Sequence, residues 1–105
     1  MDQISALDSP LVTEAVLVWT GYGGEMMPNR DDSRVVRHFG AEAAATLLPI
    51  VKRLEDEFYE SDARLRADDL SRMAALASAD FKEKHPGVSE QIVKALAWCY
   101  TFDFK

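Results

Sequence analysis

The side chains richest in chemistry crowd into one stretch. Residues 55–69 read EDEFYESDARLRADD and hold seven carboxylates, Glu55, Asp56, Glu57, Glu60, Asp62, Asp68 and Asp69, against Arg64 and Arg66. That local balance of −5 is nearly the whole formal charge of the chain, −6. Carboxylates gathered in this way have three uses. They can form a solvated face that keeps a small protein soluble. They can present a negative surface that steers a basic partner and occupies a cleft built for phosphates. They can also hold a divalent metal or do acid–base work, with Glu55 and Asp62 as candidates. The spacing is not the alternating loop of an EF-hand, and no glycine supplies its turn. Asp56 and Glu60 stand at i and i+4, and Glu57 and Glu60 form a second close pair, so like charges meet near the negative end of a helix. A sequence chosen for stability alone would place lysine there.

Other reactive residues lack partners. Gly21-Tyr22-Gly23-Gly24 has neither the lysine of a phosphate loop nor the spacing of a dinucleotide fingerprint, so it reads as a connection, with Tyr22 available as an interface aromatic. His38 and His85 lie far apart, with no second histidine or cysteine at ligand spacing. Cys99, between Trp98 and Tyr100, has no basic neighbour and reads as a small core hydrophobe. No serine stands in a nucleophile-elbow context. These observations predict no catalytic residue, no metal site and no cofactor.

The elements that must carry these residues are helices. Ser9-Pro10 suits a helix start. From there Leu11, Ala15, Val18 and Tyr22, and Val12, Val16 and Trp19, fall at helical spacing, although the valines and Thr13 leave a strand as the alternative. Asp31, Asp32 and Ser33 precede a short helix ending at Gly40. Leu47, Val51, Leu54 and Phe58 then step by 4, 3 and 4, one apolar stripe. Pro49 inside it predicts a kink or a helix that starts nearby. A further helix is expected from Ala63 or Ala67 to Lys84, with Leu70, Met73, Ala74, Ala77 and Phe81 inward, stopped by His85-Pro86-Gly87. Ser89 caps the last one, whose apolar face is Ile92, Ala95, Leu96, Cys99 and Phe102. Its aromatic run, Trp98 to Phe104, exceeds what one buried face needs. The expected fold is all-α, a compact bundle of four to five helices forming one domain over residues 1–105.

Composition fits that expectation. The 105 residues are 48% hydrophobic, too apolar for disorder and enough for a core. An acidic chain is a poor general binder of nucleic acid. No run of about 20 apolar residues suggests a membrane span. The first ten residues, MDQISALDSP, lack the basic and apolar regions of a signal peptide. With a single cysteine, the expectation is a cytoplasmic protein.

LEDEFYESDARLRADDL (54–70) and AWCYTFDFK (97–105), in a small acidic helical domain without a catalytic set, resemble bacterial immunity proteins, in particular those of contact-dependent growth inhibition systems. The resemblance is one of overall character. It implies a tight complex with a cognate toxin, often a nuclease acting on tRNA or DNA, whose basic cleft an acidic protein complements. The expected assembly is a monomer in a 1:1 heterodimer. Glu55, Asp56, Glu57, Glu60, Asp62, Asp68 and Asp69 would supply the charge, and Tyr59 and Tyr22 the buried anchor area. The alternatives are a small metal- or ligand-binding enzyme domain using the clustered carboxylates, and an oligomeric or adaptor domain using the aromatic last helix.

Overall fold

The computed structural model describes residues 9–105. The expectation of no signal peptide falls mostly on residues outside these. Helix α1 spans Pro10–Thr20. Ser9 caps it, its Oγ accepting the Leu11 N–H at 3.1 Å. The strand alternative loses because the helical period puts Val12, Ala15, Val16 and Trp19 on one buried side. Gly21 ends α1 at φ +81° and donates its N–H to Leu17 O at 2.9 Å. A side chain there would be doubly resisted, since a Cβ would lie 2.5 Å from Glu25 Cγ. Helix α2 covers Asp32–Phe39 and is capped by Asp31. Gly40 alone joins it to α3, Ala41–Phe58. Then come the single turn α4, Ala63–Arg66, and two helices of 15 residues each, α5, Leu70–Lys84, and α6, Glu90–Phe104.

Helices α1, α3, α5 and α6 pack as a ring, each against the next, with α3 also touching α6 across the centre. Helix α2 leans on α1 and α3, and α4 on α5. Among the described residues the fold is therefore all-α, with five helices of eight residues or more, as the patterning predicts. The stripe Leu47, Val51, Leu54, Phe58 is buried throughout. Phe58 meets Phe81 of α5 at 5.1 Å and Tyr100 of α6 at 5.7 Å between ring centroids, so three walls of the ring converge on it.

The helix expected from Ala63 or Ala67 to Lys84 is two. Ala67 is extended, and Asp69 Oδ1 accepts the Arg72 N–H at 2.7 Å, so a cap wins over continuation. Leu70 is then the first residue of α5, before the bundle closes over that face, and is exposed where burial was expected. Pro49 does not start a helix. Helix α3 begins eight residues earlier, and both Pro49 and Ala45, whose carbonyl the proline leaves without a donor, are exposed to water. Phe102 is only partly buried, whereas Tyr100, absent from the expected apolar face, has no exposed surface.

Tyr100 earns that place through its hydroxyl. The O–H donates to Ser61 O at 2.8 Å and accepts the Arg64 N–H at 3.1 Å, tying the α3–α4 turn to α6. Tyr100→Phe keeps the ring and strands both backbone groups. Chemical denaturation should show a loss of about 1–3 kcal/mol. Amide exchange should accelerate first over residues 61–66, and an unchanged midpoint would contradict this role.

Candidate functional site

The acidic run lies where α3 ends and α4 begins, and the fold brings cations to it. Arg30, from the α1–α2 loop, places Nε 2.8 Å from Glu55 Oε2 and Nη2 2.9 Å from Asp103 Oδ2. Arg53 lies one turn before Glu57, 3.5 Å away. His85 Nε2 is 2.5 Å from the other oxygen of Glu57. Lys84 Nζ donates to the Glu57 carbonyl at 3.1 Å and to Glu60 Oε1 at 2.5 Å. The lysine that stability asks for at the end of α3 is thus supplied by the end of α5. Arg66 bridges Asp62 and Asp80 at 2.7 Å each, and Asp69 is consumed as a cap. Among the described residues, Asp56 and Asp68 are exposed and have no ion-pair partner.

The run therefore divides. Glu55 and Tyr59 face inward, into a half-buried node shared by α3, α6 and the α1–α2 loop. Burial lifts the Glu55 carboxyl above its ordinary range; Arg30 opposes that lift, while Asp103 and Asp56 add to it. Glu55 Oε2 feels the charge of Arg30, but no aligned N–H points at it. The Tyr59 hydroxyl donates to Asp103 Oδ2 at 2.6 Å, and burial together with this bond pushes its ionisation far above that of a free phenol. Its ring packs against Tyr100 and Phe104 at 5.2 and 5.8 Å. Arg30 itself is held more firmly charged: burial opposes its charge, but the Asp103 bond and the field of Glu55 outweigh it. Glu55 and Tyr59 thus do internal work, whereas Asp56, Glu60, Asp62, Asp68 and Asp69 remain on the exposed side.

Glu55 and Asp62, the pair considered for acid–base work, answer to different cations, Arg30 and Arg66. Among the described residues no three His, Cys, Asp or Glu side chains come together as a metal site. Tyr22 joins none of the ion pairs or ring contacts of the acidic run. Its ring meets Trp98 edge-on at 5.4 Å, and both line an open groove of about 440 Å³ between α5 and α6. No helix among the described residues is long and apolar enough to cross a membrane.

No family model, curated protein or solved structure matches this chain.

Sequence reasoning missed two leucines at this site. Leu65, on α4, is 77% exposed, and Leu70 is 45% exposed. The signal was present in the phase of α4: Ala63 is buried, and two residues of helix turn the chain about 200°. Leu65 must then point outward.

The node also fixes Cys99. Burial pushes its thiol up to about 12, with Arg30 pulling down and Glu55 and Asp103 pushing up. Thiol reagents at neutral pH should modify it only on unfolding. An unfolded thiol ionises near 9, so between 9 and 12 the folded state binds the extra proton and stability falls as pH rises. Stability of the native chain minus that of Cys99→Ala should fall across this window and stay flat below it. A flat difference throughout would contradict the burial of the thiol. Arg30→Ala should cost about 1–3 kcal/mol in denaturation experiments, because two carboxylates lose their shared cation in a half-buried place.

Proposed function

We propose that the chain is a binding domain that docks a basic protein partner, and that in the cell it serves as an immunity protein neutralising a cognate toxin, with no chemistry of its own. The observation that carries this reading is the outward half of the acidic run. After internal pairing, Asp56 near the end of α3 and Asp68 just after α4 still stand exposed and without an ion-pair partner among the described residues, on either side of a turn held to the core by Tyr100. Stability does not call for free carboxylates there, since every other acid of the run has been given a partner or a cap. A negative surface on a fixed frame accelerates encounter with a positive one and selects against acidic competitors.

A nuclease toxin suits such a surface because it must hold phosphates in a basic cleft, and a folded acidic protein lying over that cleft blocks substrate by charge and bulk. The mechanism needs no cofactor and no bond making. A single buried, unpaired cysteine, Cys99, is in keeping with a cytoplasmic location.

Where a neighbouring gene encodes a basic toxin domain, that domain is the probe. Its association rate with the native chain should fall steeply between low and physiological salt. The double variant Asp56→Lys/Asp68→Lys should slow association about tenfold or more with little change in thermal midpoint, because both residues are exposed. An association rate indifferent to salt and to this variant would refute the reading.

A further inference from the structure

Leu65 is the most exposed large apolar side chain in any helix of the described residues, and its backbone is braced from several sides. Ala63 beneath it is wholly buried. The Ala63 N–H donates to Ser61 Oγ at 3.2 Å, and Ser61 Oγ–H donates to Asp80 Oδ2 at 2.6 Å. Tyr100 holds Ser61 O and the Arg64 N–H. The Arg64 guanidinium lies 4.6 Å over the Phe104 ring. Arg66 ties the turn to α5 through Asp80. A leucine on a loose loop can fold back onto the protein. This one cannot, because the phase of α4 is fixed by Ala63 facing in.

We propose that Leu65 is the anchor of the docking surface, entering an apolar socket rimmed by lysine or arginine on a basic protein. The inference rests on the reading above and adds the residue and the kind of pocket. The surroundings specify the rim. Asp68 stands three residues after Leu65, and Asp62, three residues before it, is paired with Arg66. Of the two cations alongside, Arg64 is turned onto Phe104 and Arg66 is spent on Asp62 and Asp80. Asp68 and Asp69 keep their negative charge facing solvent. A purely apolar surface closing on Leu65 would strip water from these carboxylates without compensation, and an acidic one would be repelled. A socket with cations at its edge satisfies both. A backbone already held in place also loses little freedom on binding.

The experiment uses the full chain and two synthetic helical peptides of equal length and charge, one with a lysine face and a leucine face, the other with serine in place of leucine. Binding is followed by calorimetry and by backbone amide shifts. The lysine–leucine peptide should bind with shifts centred on residues 61–70. Leu65→Ser should weaken it at least tenfold while leaving the weaker lysine–serine peptide unaffected. Equal binding of the lysine–leucine peptide to the native chain and to Leu65→Ser overturns the anchor. If Asp56→Lys/Asp68→Lys then still abolishes binding, the acidic docking surface survives without it. No binding, or binding indifferent to all three substitutions, overturns both.

Discussion

Helix α3 delivers its negative end into a run of acids, and nearly every long-range polar contact on that side of the molecule answers to this. Unsatisfied carbonyls and carboxylates repel one another, and nothing in the last turn of α3 is basic. Relief has to be imported. Arg30 reaches from a loop 25 residues upstream, and Lys84 and His85 from the far end of α5. Importing them requires α5 to finish beside the end of α3, and the loop after α1 to cross over α3 and α6. The electrostatic demand and the packing of Phe58 on Phe81 and Tyr100 therefore select the same arrangement of helices.

The device is used twice. Helix α1 also has no basic residue in its last turn, and Arg34 of α2 supplies it, donating to Val18 O at 2.9 Å and Trp19 O at 3.0 Å. Asp32, two residues earlier on α2, accepts from the Trp19 indole at 2.9 Å and from Lys52 of α3 at 2.7 Å. In each case a helix end is completed by a side chain of another element, so the cap and the tertiary contact are one interaction. Such contacts form only in the assembled fold, where they add directional specificity to a core built mostly from aliphatic and aromatic side chains.

What the sequence disclosed follows from this. Caps and stripes are local, and they were legible: Ser9, Asp31, Gly40 and Ser89 mark helix ends, and Leu47, Val51, Leu54 and Phe58 mark the inward face of α3. The break at Ala67–Asp69 was not, because Asp69 is equally a surface acid and a cap until the fold chooses. Nor was the split of the acidic run into an inward and an outward half. Glu55 and Asp56 are neighbours of the same type, and only the approach of Arg30 and Asp103 separates their roles. Tyr100 escaped because a hydroxyl looks polar in a sequence, while here it is consumed by two backbone groups and the ring is core.

The position of Tyr100 also makes the turn after α3 depend on the last helix. Helix α6 closes the ring between α1 and α5 and carries the hydroxyl that meets Ser61 and Arg64. A nascent chain that has emerged only through α5 has two helices with an open apolar side, a turn with unmet backbone groups, and an acidic run lacking Asp103 as the second partner of Arg30. The ring is therefore complete only once α6 is in place, and the turn bearing Leu65 is tied down by the last helix of the ring.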